Sequence, residues 1–227
     1  MKEMHHEHEN HHQMIKESDI HTFVAYKNGK INIELVDREG KDPELELTHE
    51  KLMHLIIVSE DLSEFYHVHP HQVGPSTFEK EIELNGNRYK VFVDINPKGK
   101  HYLIEPNEIQ IHSSVQQYKD YPLEMDQQMT KEIKGKKVEL QHDPFKVGKD
   151  IKLTFHLRNG TPQPYLGALG HVVIVDDKLE QFIHVHPASE KDTIFIAHFS
   201  HAGTYKMWAE FKFEEEVIAF PYVFNVV

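Results

Sequence analysis

Apolar and polar residues alternate with a period of two in Ile31-Asn32-Ile33-Glu34-Leu35, in Tyr89-Lys90-Val91-Phe92-Val93, in Ile151-Lys152-Leu153-Thr154-Phe155, and from Tyr205 to Phe211. That period places successive side chains on opposite faces and predicts half-buried β-strands. Leu55 to Val58 and Val172 to Val175 are continuous apolar runs. Such runs suit strands buried on both faces. Turn dipeptides punctuate the pattern at Asn28-Gly29, Glu39-Gly40, Asn85-Gly86, Asn159-Gly160 and Ala202-Gly203. A helical period is nearly absent, the one weak candidate lying around Met125 to Ile133.

The chain repeats itself. The segment His54 to Pro70 (HLIIVSEDLSEFYHVHP) aligns without a gap on His171 to Pro187 (HVVIVDDKLEQFIHVHP), at an offset of 117, with nine of seventeen positions identical. Further along, Tyr89 and Phe92 match Tyr205 and Trp208 at an offset of 116. Two copies of an all-β unit of roughly 90 residues have the size of immunoglobulin-like sandwiches. The predicted fold is therefore two tandem immunoglobulin-like β-sandwich domains related by internal duplication. The boundaries fall at 1–19 for a disordered histidine-rich tail, 20–113 for repeat one, 114–135 for a polar linker and 136–227 for repeat two.

Composition narrows the chemistry. The 227 residues carry 25 Lys and Arg against 37 Asp and Glu, a net charge of −12. Only three cations are arginine, Arg38, Arg88 and Arg158. That argues against nucleic acid and against anionic membranes as partners. No stretch approaches the roughly 20 apolar residues of a membrane-spanning helix. Cysteine is absent and histidine reaches 20. Thiolate sites and disulfide scaffolds are excluded, and protonation of every histidine would move the charge from −12 to +8. The tail alone holds His5, His6, His8, His11 and His12 among Glu, Asn and Met. It is too polar to order itself and has no apolar segment of a signal peptide. Dense histidine with interspersed methionine suits capture of borderline metal ions.

The repeated histidines form a pattern. His67 and His69 share a strand face, as do His184 and His186. His54 and His171 lie thirteen residues upstream, and a hairpin turning at Glu60-Asp61 or Asp177-Lys178 brings each against its His-x-His pair. Candidate metal ligands are His54, His67 and His69 in repeat one, and His171, His184, His186 and His198 in repeat two. Neutral imidazoles suit Cu(II) or Zn(II), one ion per repeat at most. Repeat two, which alone adds His198 and His201, is the favoured site. His49 and the other unpatterned histidines are assigned to surface or core.

The strings Tyr165-Leu166-Gly167-Ala168-Leu169-Gly170-His171, Phe182-Ile183-His184-Val185-His186-Pro187 and Gly203-x-Tyr205-Lys206-x-Trp208 resemble the YtkA-like and CopC-like β-sandwich domains of bacterial secreted proteins and lipoproteins. The resemblance covers repeat two well and repeat one in part. It implies an extracytoplasmic protein, secreted or lipid-anchored, whose export signal is absent from this chain. It also implies copper binding for sequestration or delivery, with a membrane copper transporter or another metal-handling protein as partner. No nucleophile elbow, phosphate loop or His-Glu-x-x-His motif appears, so the expected function is not enzymatic. Two alternatives stand beside it. One is an immunoglobulin-like surface interaction module with structural histidines; the other is a metalloenzyme of the cupin or superoxide dismutase kind.

Overall fold

The structure, a computed structural model, describes residues 17–111 and 122–227. The histidine tail up to residue 16, residues 112–121 of the linker and the side chains of His184 and His186 lie outside the described residues. Every regular element described is a strand.

Repeat one contains β1 (Ile20–Lys27), β2 (Lys30–Asp37), β3 (Leu45–Glu46), β4 (Met53–Ser59), β5 (Phe65–Val68), β6 (His71–Gly74), β7 (Thr77–Glu81), β8 (Arg88–Pro97) and β9 (Pro106–Gln110). Repeat two contains β10 (Thr130–Ile133), β11 (Lys136–His142), β12 (Asp150–Arg158), β13 (His171–Asp176), β14 (Phe182–Pro187), β15 (Ile194–His198), β16 (Gly203–Phe213) and β17 (Glu216–Val226). One sheet of repeat one runs β1-β2-β7-β6, and the other places β4 between β5 and β8, with β9 beyond β8. Repeat two keeps the equivalent strands but joins its layers in one order, β10-β11-β12-β15-β14-β13-β16-β17, through the pairing of β14 with β15. Hairpins join β1 to β2, β4 to β5, β6 to β7 and β13 to β14, and β2 and β12 cross to β7 and β15. This is the immunoglobulin-like sandwich, found twice. Each copy also carries a tyrosine near the start of its β8 or β16 strand whose hydroxyl bonds to upstream backbone. Gly86 N–H donates to Tyr89 OH, and Tyr205 OH donates to His201 O at 3.0 Å. Such a tyrosine corner is a hallmark of the fold.

The stretch Met125 to Ile133 is not helical. It bends at 127–129 and then forms β10, which pairs with β11 from Thr130↔Glu139 to Ile133↔Lys136. Ile133 and Met129 pack on the repeat-two core. Tertiary packing overrides a weak helical period here. The sheet of repeat two thus begins inside the stretch read as linker.

The two continuous apolar strands have a specific reason. Every residue of β4 and of β13 is buried. Leu55 and Ile57 point into the repeat-one core, Val172 and Ile174 into the repeat-two core. The alternate residues form a third cluster shared by both repeats: Ile56, Val58, Leu62 and Phe92 from one, Val173, Val175, Leu179 and Trp208 from the other. These are position-for-position equivalents at offsets of 117 and 116. The repeats therefore dock face to face through the same surface, in pseudo-two-fold fashion. Phe65 stacks on Trp208 with centroids 4.5 Å apart, and the equivalent Phe182 stacks on Phe92 at 5.1 Å. Lys206 Nζ also crosses the seam and donates to Leu62 O at 2.7 Å. A shared apolar seam of this kind fixes the relative placement of whatever lies at its end.

Candidate metal centre

At one end of the seam lie the histidines. His54 is the second residue of β4, on the docking face, paired in register with Asp94 of β8. His67 on β5 pairs with Ile56 of β4, and Leu55 with Val68, which carries His69 toward His54. The hairpin therefore gathers all three. His54 Nδ1 is 3.0 Å from His67 Nε2 and 3.1 Å from His69 Nε2. One nitrogen of each residue lies within 4.8 Å of the others. The ring centroids are 5.3, 4.8 and 4.9 Å apart. Three imidazoles bound to one tetrahedral ion at about 2.0–2.1 Å would have centroids about 5 Å apart, so the residues present fit such an ion.

The outer nitrogens are committed elsewhere. Thr48 O lies 2.8 Å from His54 Nε2, so that nitrogen carries a proton and donates it. Glu210 Oε2 lies 2.5 Å from His67 Nδ1, which donates to it. Both side chains of that pair are buried, at 0% and 8% exposure. In the neutral rings His54 Nδ1 and His67 Nε2 are then both lone pairs, turned toward each other at hydrogen-bonding distance. A proton or a metal ion between them would satisfy both, and a neutral His69 can itself donate from Nε2 to His54 Nδ1 at 3.1 Å. His69 resists taking up a second proton. Burial, followed by the charges of His67, His54, Lys51 and His171, pushes its pKa down to about 2.

The second repeat contributes directly. Glu210 belongs to β16, and its register partner is His171. His171 repeats the anchoring of His54, with Nε2 donating to Tyr165 O at 2.9 Å. Its ring lies 5.8 Å from His67. The backbone of His184 pairs with Val173, and that of His186 with Ile196. His198 stands apart from the triad: it is exposed at the end of β15, with Nδ1 3.2 Å from Asp150 Oδ1. Among the described residues, the one group of three or more possible ligands closing on a point is therefore in repeat one, while the repeat-two set turns on His184 and His186, whose side chains lie outside the described residues.

Sequence reasoning passed over two participants. Glu210 has a signal, since its counterpart at an offset of 116 is another acid, Asp94, and each faces a leading histidine across the ladder. His49 has no repeated signal because repeat two carries Leu166 in its place.

No curated protein matches the chain. Among solved structures, the chicken CNTN1 FN1–FN3 domains are similar at 11% identity and a TM-score of 0.26, covering 92% of this chain and 66% of that one. The Escherichia coli adhesin FdeC is similar at 13% identity and a TM-score of 0.24, with 92% and 64% covered. The Yersinia pseudotuberculosis adhesin InvE gives 10%, 0.23, and 92% and 59%. The chain thus spans less than two thirds of the length of each. A family model matches residues 6–108 and 131–227, nearly the whole of both repeats, and the chain belongs to that family, described as Domain of unknown function (DUF8832).

Proposed function

We propose that the protein is a non-enzymatic binder of a divalent transition-metal ion, Cu(II) or Zn(II), held by His54, His67 and His69. The observation that carries this reading is the convergence of three ring nitrogens, with the opposite edges of two of the rings tied down. Thr48 O fixes the tautomer of His54, and Glu210 fixes that of His67, so lone pairs face one point. A carboxylate or carbonyl behind a ligating histidine orients the ring and raises its basicity. Three imidazoles without carboxylate or sulfur suit Cu(II), Zn(II) or Ni(II) better than Ca(II) or Mg(II). The five histidines of residues 5–12 would collect ions for the centre. Sequestration or delivery outside the cytoplasm, with a metal-handling protein as partner, is the role such a binder would fill.

The second reading is an immunoglobulin-like surface module in which the histidines are structural. The 3.0 Å separation of His54 Nδ1 and His67 Nε2 favours it, because a shared proton would serve there as well. Thermal unfolding with and without metal separates the two. On the metal reading, Zn(II) or Cu(II) raises the melting temperature of the wild-type chain and leaves that of His67→Ala nearly unmoved. On the structural reading neither chain responds.

A further inference from the structure

The turn before β4 is built against backbone preference. Thr48 and Lys51 bridge each other, and the two residues between them, His49 and Glu50, have φ of 48° and 63°. Two successive left-handed residues make the type I′ turn, which ordinarily selects Asn-Gly. Each non-glycine residue held there costs about 1–2 kcal/mol. The equivalent turn of repeat two relieves half of this. Tyr165 bridges Ala168, and the residues between are Leu166 at 52° and Gly167 at 77°. Repeat one has kept the same turn, placed Glu where glycine fits, and put histidine where its sister has an apolar residue.

The turn places His49 beside the centre. Its ring meets His54 edge to face, centroids 5.9 Å apart, and meets His171 of the other repeat the same way at 5.4 Å. His49 is half-buried, whereas His54 and His171 are each 1% exposed. The same turn supplies Thr48 O to His54. Backbone strain that persists beside a cluster of ligand-type side chains is a mark of function.

We propose that His49 is a fourth protein ligand of the metal centre, delivered by this strained turn. The inference rests on the reading of His54, His67 and His69 as a metal site. His49 lies outside the three ligand nitrogens that fall within 4.8 Å of one another, so its ring must turn toward them as it closes on His54 from 5.9 Å to the separation of about 5 Å expected around one tetrahedral ion. The centre is then asymmetric: Leu166 offers no donor, so the sister position cannot make the same set.

The test uses the full chain and His49→Leu, the residue the sister turn already carries, with Zn(II) as the probe. Zinc affinity is measured by competition with a chromophoric chelator. The number of bound imidazoles is counted by X-ray absorption at one equivalent or less, where the tightest site fills first. Trp208 fluorescence confirms that the variant keeps the docked seam. The expected result is four imidazoles in the wild type, three in His49→Leu, and affinity weaker by about ten-fold or more, at least the effect of losing an outer-sphere partner. Equal affinity and equal coordination in the two chains would overturn the role of His49 while leaving the triad standing. A wild-type chain that binds zinc no more tightly than His67→Ala, which keeps the same tail, would instead overturn the triad on which the inference depends.

Discussion

The two repeats share one strand plan but are filled differently. The core of repeat two is aromatic, with Phe155, Phe195, Phe199, Phe211, Phe220 and Tyr222 all buried. That of repeat one is largely aliphatic, with Phe78 and Tyr89 its only fully buried aromatics. Aromatic rings bury more area each, and edge-to-face pairs such as Phe155 with Phe195 at 5.7 Å add to that. The repeat with the lighter core carries the described histidine triad and the strained turn. The heavier one lends it Glu210 across the seam. One copy thus has the heavier core and the other the described histidine cluster, and the shared apolar face joins the two.

The largest effect should come from breaking the heavier scaffold. Phe155→Ala should cost about 3–5 kcal/mol in chemical denaturation, the usual range for deleting a buried aromatic. The single tryptophan, Trp208, lies in the seam at 4% exposure, so its emission reports whether the repeats separate as the core fails.

Next in size is the crossing between repeats. Glu210→Gln keeps the shape of the side chain and removes the charge behind His67. Metal affinity should fall 10–100-fold, or about 1.4–2.7 kcal/mol, by calorimetric titration. An unchanged affinity would mean that repeat two does not tune the centre.

The turns sharpen the comparison at a smaller scale. Glu50→Gly should stabilise the protein by about 0.5–1 kcal/mol, because glycine accepts a φ of 63° while giving back some chain entropy. Gly167→Ala should destabilise by about 1 kcal/mol. Its Cβ would meet nothing nearer than Glu50 of the other repeat at 4.0 Å, so the cost is conformational rather than steric. Opposite signs in a melting experiment confirm that the same turn is strained in one repeat and relaxed in the other.

The effect that is smallest at neutral pH, and grows only with acidification, is titration of the metal-free protein. His69 has a pKa of about 2 when folded and an ordinary histidine value near 6.5 when unfolded. The unfolded chain therefore binds the extra proton below pH ~6.5, and stability falls as pH drops from there toward 2. A His69→Gln variant should show a shallower decline of melting temperature with acidification.

Much of this fold was legible in the residues. Alternation of period two located β2, β8, β12 and β16, and the ungapped repeat located the paired hairpins. The hairpin spacing also placed His54 against His67 and His69. The continuous apolar runs of β4 and β13 announced burial on both faces, but nothing in either strand alone says that the cover is the other copy of itself. Docking is a property of two surfaces, and sequence periodicity reads one element at a time. His49 escaped because it is unrepeated. Glu210 escaped because its partner histidine is 143 positions away. The Met125 to Ile133 stretch misled because its few apolar residues are spaced for packing onto a core rather than for a helix face.

The most direct measurement is the stoichiometry of metal bound at equilibrium by the full chain, compared with a His54→Ala, His67→Ala, His69→Ala variant. Both chains keep the histidines of residues 5–12, so their contribution cancels in the difference. Dialysis against buffered Zn(II) or Cu(II), with metal-free melts confirming that both chains fold, should give a difference of one tightly held ion per chain. Equal stoichiometry in two folded proteins would contradict the account and leave the histidine cluster as a hydrogen-bonded element of the seam.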